Sequence, residues 1–381
     1  MNLRSLFMLL TVLPVAAVAE EQRLYFGTYS RGDSTSEGIY TCLFEVDSGK
    51  FTEPELAAKS DSPSFLAIHQ TRDVVYACNE TADFEGESTG AVSAFRIDRA
   101  TGQLKLLNQL PTGGAAPCHC VIDSTGNYLL LANYTGGNAA VFSIAEDGRL
   151  LERTCLINHV GSGPNQQRQK SPHAHSINLS ADNRFAYVAD LGVDRVMIYR
   201  FDDQRGLLIP NSPDSVAVRP GGGPRHFSLH PSGQFAYSNN ELTSEVNVFQ
   251  RNPSSGGLTH TQTISTLPED YDGRRSTAEC LVHPSGKFAY VSNRGHDSIA
   301  VYRIDPKNGA LSLVEIEHSA GREPRNFFIH PAGKWLIAAN QNSDTVVVFD
   351  IDETTGGLSL SSSRISVGKP VCVRLLPSRD H

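Results

Sequence analysis

Glu279-Cys-Leu-Val-His-Pro-Ser-Gly-Lys-Phe-Ala-Tyr-Val-Ser-Asn-Arg294 decides the fold. Two short apolar segments flank a His-Pro-Ser-Gly turn, and the same unit recurs as Gly223-Pro-Arg-His-Phe-Ser-Leu-His-Pro-Ser-Gly-Gln-Phe-Ala-Tyr-Ser-Asn-Asn-Glu241 and Glu323-Pro-Arg-Asn-Phe-Phe-Ile-His-Pro-Ala-Gly-Lys-Trp-Leu-Ile-Ala-Ala-Asn-Gln341. Each copy is followed by an alternating apolar run, Glu245 to Gln250, Asp297 to Asp305 and Asp344 to Asp352, and then by a Gly-Leu-like turn. Alternation with period two marks strands, and the turn residues mark hairpins.

Working outward, degenerate copies align over Pro63 to Glu80, Pro117 to Tyr134 and Ala174 to Leu191, with a half copy from Arg23 to Tyr29. The polar residue that closes the second strand stands at Thr28, Asn79, Asn133, Asp190, Asn240, Asn293 and Asn340, in steps of 47 to 57 residues. Seven units of about fifty residues, each with four strand-sized segments, predict an all-β chain folded as a seven-bladed β-propeller. The half copy lacks an innermost strand, and Lys369-Pro-Val-Cys-Val-Arg-Leu-Leu376 has the pattern that opens a repeat. Blade one is therefore expected to be closed by N- and C-terminal strands, which pairs the last free edges of the ring.

The start of the chain reads differently. Arg4 supplies a positive end, Leu6 to Leu13 an apolar stretch, and Ala17-Val18-Ala19 a cleavage signal before Glu20. That pattern is a secretory signal peptide, and its apolar stretch is shorter than the roughly 20 residues that span a bilayer. The expected organisation is a signal peptide over 1-19 and a single seven-bladed β-propeller domain over 20-381. The protein is expected to be exported, to the periplasm or beyond, with no membrane contact after cleavage.

Composition narrows the function. Of 381 residues 39% are hydrophobic and 19% charged, which excludes a disordered chain and a protein of many membrane spans. The formal charge of −8, without a run of five like charges, argues against nucleic acid as partner. Seven cysteines cannot all pair within one chain, so a disulfide framework is not expected. Cys118-His119-Cys120 resembles a metal motif, but no second ligand pair sits at zinc-like spacing, and no metal is expected.

The repeat also places a site. The His-Pro-Ser-Gly turns lie at one face of the disc, so the start of strand one and the end of strand two meet at the other, around the channel mouth where a ligand would bind. The strand-one column reads Val371, Ser64, Cys118, His175, Arg225, Ala278 and Arg325, and the next reads Cys372, Phe65, His119, Ser176, His226, Glu279 and Asn326. The strand-two end column reads Tyr29, Glu80, Tyr134, Leu191, Glu241, Arg294 and Gln341. A mouth gathering His175, Arg225, Arg325, Arg294, Glu241 and Glu80 is unlike a plain propeller, although Arg and Glu at hairpin ends also pair simply as surface ions. The same register sends His69, His230, His283 and His330 to the opposite face. Two long polar connections, Arg153 to Pro172 and Pro268 to Arg275, point to the mouth face and are expected to form a binding rim or lid.

Tyr25-Phe-Gly-Thr-Tyr29, Gly223-Pro-Arg-His226, Asn240-Glu241, Asn293-Arg294 and Ala339-Asn-Gln341 together resemble the propeller lactonase family that includes bacterial 6-phosphogluconolactonase and fungal carboxymuconate cyclase. The resemblance spans nearly all the chain beyond the leader. It implies opening of a lactone ring by water, with His175, Arg225, Glu241 and Arg294 as catalytic groups. Substrate contacts are expected from Arg325, Gln341, His119, Glu80, His173 and His226, with His175 rather than His173 in the column of Arg225 and Arg325.

Attack of water on an ester carbonyl needs a base and a cationic or hydrogen-bonding site for the oxyanion. Glu241 is assigned as base and His175 as proton carrier to the ring oxygen, the two being exchangeable, with Arg225 and Arg294 as planar clamps. Neither a metal nor an organic cofactor is required, and no G-x-S-x-G elbow is present. The partner is a small-molecule lactone or sugar acid, phosphorylated or, given export, an unphosphorylated aldonolactone. A carboxymuconate-type cyclase and a non-catalytic secreted propeller that binds a sugar, peptide or protein are the alternatives.

Overall fold

The computed structural model describes residues 20–378, and the leader expected over 1–19 lies outside the described residues. Seven antiparallel sheets follow one another around an axis. Their innermost strands are Pro370–Leu375, Pro63–Ile68, Pro117–Ile122, Ala174–Leu179, Pro224–Leu229, Thr277–Val282 and Pro324–Ile329. Among the described residues one 3-10 turn, Gln341–Ser343, is the only helical element.

Blade one is the expected composite. Pro370–Leu375 pairs with Glu21–Thr28 in the register Leu24↔Leu375, Phe26↔Val373 and Gly27↔Cys372, and its outer edge is built from two short strands, Lys50–Phe51 and Glu55–Lys59. The second strands, such as Val74–Asn79 and Phe288–Asn293, are buried along their whole length because both faces pack on neighbouring blades. Outermost strands such as Leu258–Ser265 expose most of their residues. This gradient explains why inner strands read as continuous apolar runs and outer ones as polar.

Two repeated motifs lock blade to blade. The buried tyrosines of the second strands each donate to a glycine carbonyl in the outer hairpin of the next blade: Tyr76 to Gly148 at 2.8 Å, Tyr187 to Gly256 at 2.9 Å, Tyr237 to Gly309 at 3.0 Å and Tyr290 to Gly356 at 2.8 Å. On the turn face, imidazoles do the same work. His69, His230 and His283 bond the carbonyls of Gly126, Gly286 and Gly333 at 3.0, 2.8 and 2.8 Å. These turn glycines have φ of 72°, 74° and 77°, and a Cβ on any of them would meet the neighbouring imidazole at 2.7 to 2.8 Å. Glycine is therefore required there twice over, by backbone conformation and by contact.

Candidate functional site

The site begins with a backbone irregularity repeated in every blade. Near its start each innermost strand slips by one residue against the second strand. The slip leaves Ser64, Cys118, His175, Arg325 and Val371 outside the ladder as single residues, and Arg225-His226 and Ala278-Glu279 as doublets. A bulge of this kind re-aims side chains. Side chains replace two of the lost ladder bonds, since the His226 and Glu279 amides donate to Asn239 Oδ1 and Ser292 Oγ, each at 3.0 Å.

Above the bulges lies a mouth cavity of about 210 Å³ lined by Glu80, Tyr134, Arg168, His175, Glu241, Arg274, Arg294 and Arg325. Below it the channel narrows to a neck of about 10 Å³ between Tyr29, Glu80, His175, Arg225, His226 and Arg325, room for about one water molecule.

Glu241 is the hub of the mouth. Its Oε1 accepts from Arg168 Nη2 at 2.7 Å, and its Oε2 accepts from Arg225 Nε at 3.1 Å and faces Arg294 Nη2 at 3.0 Å. Burial alone would raise its pKa, but Arg294, Arg225 and Arg168 outweigh that and hold the carboxyl well below the usual carboxylate range. A carboxylate so engaged is a weak proton acceptor. The Arg225 guanidinium also donates to Ala278 O at 2.7 Å, and that of Arg294 to Thr277 O at 2.8 Å, which fixes both planes.

His175, unlike Glu241, is held in no ion pair among the described residues, so its ring is open to a proton. Burial first, then Arg225, His226 and Arg325, push its pKa well below the ordinary value, so the ring is neutral at pH 7. Cys118 Sγ lies 3.7 Å from its Nδ1, and the Tyr134 ring meets it edge-on at 5.3 Å. Across the cavity Tyr29 Oη stands 2.9 Å from both oxygens of Glu80. The Arg325 guanidinium lies over the Tyr29 ring at 5.2 Å. Burial opposes the Arg325 charge, yet Tyr29, Glu80 and Glu241 hold its pKa above the usual range.

The expected residues separate into three places. His175, Glu241, Arg294, Arg325 and Glu80 line the mouth, and Arg225 lies just below, at the neck. His226 lines the neck and the cavity beyond it, while His119 lines only that farther cavity. His173 and Gln341 line none of these spaces. His173 stacks on Tyr134 at 4.6 Å and bonds its backbone carbonyl at 3.0 Å, and Gln341 turns to Asn342 at 3.2 Å.

Two mouth arginines escaped the repeat because loops deliver them. Arg168 reaches Glu241 and donates to Tyr134 Oη at 2.9 Å. The adjacent Gln169, fully buried, pins its loop by donating to Leu191 O at 2.8 Å and Asp194 Oδ1 at 2.7 Å. Arg274, from the Pro268 to Arg275 connection, lines the mouth and pairs with Glu323 at 2.8 Å. Four arginines against two glutamates make the mouth cationic.

Residues 23–375 match the family described as lactonase, 7-bladed beta-propeller. A Bacillus subtilis 6-phosphogluconolactonase is 37% identical over 352 residues, which cover 92% of this chain and 97% of that protein. A Formosa agariphila 6-phosphogluconolactonase is 35% identical over 296 residues, covering 76% and 81%. The solved structure of a Pseudomonas aeruginosa periplasmic gluconolactonase superposes with a TM-score of 0.87 at 31% identity, covering 94% of this chain and 99% of that one.

Proposed function

The chain belongs to the seven-bladed β-propeller lactonase family and is a lactone hydrolase, and we propose that it opens sugar-acid lactones at the channel mouth. The observation that carries this reading is a neutral, buried imidazole facing guanidinium groups that a single carboxylate holds in place. Water, activated by His175, attacks the ring carbonyl. Arg225 and Arg294 face the oxyanion as it forms, held by Glu241 so that no reorganisation is needed. Collapse breaks the bond from the acyl carbon to the ring oxygen, which takes its proton from His175. Of the two exchangeable assignments, base and proton carrier, the geometry supports His175 for both, with Glu241 positioning the arginines.

The substrate proposed is an unphosphorylated aldonolactone met outside the cytosol, because the 1-19 leader is read as an export signal on a single 20-381 domain. The relative from Pseudomonas aeruginosa, described as a periplasmic gluconolactonase, supports that reading. The cationic surplus of the mouth favours a second reading, a lactone that carries a phosphate, as the names of the Bacillus and Formosa relatives suggest for those proteins. The test is hydrolysis of glucono-lactone and 6-phosphoglucono-lactone by the mature protein with spontaneous opening subtracted. A higher kcat/KM on glucono-lactone supports the first reading, a higher value on the phosphate ester the second, and turnover of neither refutes both.

A further inference from the structure

Beyond the neck the channel widens again into a cavity of about 490 Å³, whose lining reaches Gln70 and Pro284 in the turns of the opposite face. Phe65 and His226 line both this far cavity and the neck, so their side chains form the partition between them. His226 donates from Nδ1 to Glu279 Oε1 at 2.6 Å, which leaves a lone pair on Nε2. Glu279 is held for this role by Asn326 Nδ2 and by the Cys280 amide at 3.0 Å. The ring centroids of His175 on the mouth side and His119 on the far side lie 5.5 and 5.3 Å from that of His226.

Hydrolysis of a lactone at neutral pH yields a carboxylic acid that ionises, so every turnover leaves one proton to remove. An arginine-lined mouth holding an anionic product is a poor exit for a cation. We propose that His226 and Glu279 carry this proton from the mouth to the far cavity. The inference rests on the mouth being the place of hydrolysis. The product acid gives its proton to His175, which passes it through a water in the neck to His226. Glu279 neutralises the imidazolium, and the proton leaves to water in the far cavity, which both residues line. His175 ends neutral and ready for the next turnover, and no bond to carbon is made or broken. The charged and titratable groups facing His226 are Glu279, Arg225, Arg374, His119 and His175; the arginines disfavour a lasting charge on the ring, as a relay requires.

His226 and Glu279 thus relay a proton without touching the lactone, and buffer rescue tests them. His226→Gln, Glu279→Gln and Leu281→Trp, the last narrowing the far cavity two residues along the strand from Glu279, are assayed on glucono-lactone in dilute buffer. Each is expected to lower kcat, the dyad variants by on the order of 10², with KM unchanged. Added imidazole at constant pH and ionic strength should restore kcat in the variants and leave the wild type unaffected. Undiminished kcat in His226→Gln, or a loss that imidazole fails to restore in variants that melt like the wild type, overturns the relay alone. Absence of turnover in the wild type overturns the hydrolysis reading with it.

Discussion

Arg225 and Glu241 stand at the two open ends of one hairpin, and the Nε of the first meets Oε2 of the second at 3.1 Å with their side chains 3% and 6% exposed. The bulge near the start of Pro224–Leu229 turns Arg225 inward, and Glu241 follows directly on Phe235–Asn240. A buried ion pair of this kind does not by itself stabilise a fold, but breaking it leaves an uncompensated charge.

Glu241→Gln should therefore weaken both fold and activity. Three guanidinium groups lose their common anion, and the expected loss of stability is about 3 kcal/mol. kcat on glucono-lactone should fall by roughly 10² to 10³, as when an oxyanion site loses its order. Thermal melts beside initial rates check this, and a variant with wild-type kcat would show that Glu241 orders nothing needed for turnover.

Because His175 has a depressed pKa, its base form persists in mild acid. The kcat/KM profile should stay flat as pH falls through about 6.5, the ordinary histidine value, and decline only well below it. An inflection near 6.5 would point to an exposed base elsewhere.

Stability should follow the opposite flank of the same titration. His119, His175 and His226 have folded pKa values below the unfolded one, so between the two the unfolded chain binds more protons. Stability is full above about 6.5 and is lost as pH falls below it. Glu241 and Glu279, also depressed, add a further loss as pH falls through the unfolded carboxyl range and below. Melting temperatures between pH 8 and 4 test this, with His175→Gln expected to flatten part of the slope.

Arg168 is the most accessible of the arginines on Glu241, with 40% of its side chain exposed against 3% and 6% for Arg225 and Arg294. Arg168→Met should leave the fold intact and raise KM roughly tenfold, the worth of one hydrogen bond to a charged group. Steady-state kinetics on both lactones would show the change, and an unaltered KM would remove Arg168 from substrate capture.

Gly333→Ala tests the blade-to-blade stitch. A methyl there meets His283 Cε1 at 2.7 Å on a backbone with φ of 77°, so the variant should melt earlier, by about 1 to 3 kcal/mol of stability, with kcat unchanged.

How far the sequence reached follows from what the repeat encodes. Strands, ring closure and the mouth column were legible, because each depends on a spacing that recurs and on which face a residue takes. His175 was separable from His173 for the same reason: register alone puts one in the channel and the other at the strand entrance. Arg168 and Arg274 were not legible, since their loops are unique and their reach depends on anchors such as Gln169. The enclosure of Glu241 by three guanidinium groups was not legible either, because how many cations surround a carboxylate is decided in space and not by spacing along the chain.

The pairing of Glu21–Thr28 with Pro370–Leu375 sets an order of events during biogenesis. Among the described residues the first strand waits for the last, so blade one cannot form until Pro370–Leu375 has been synthesised. Contacts of such sequence separation slow folding. Until the ends meet, the nascent ring keeps an open seam. The lock that completes the finished ring therefore also acts as a clock.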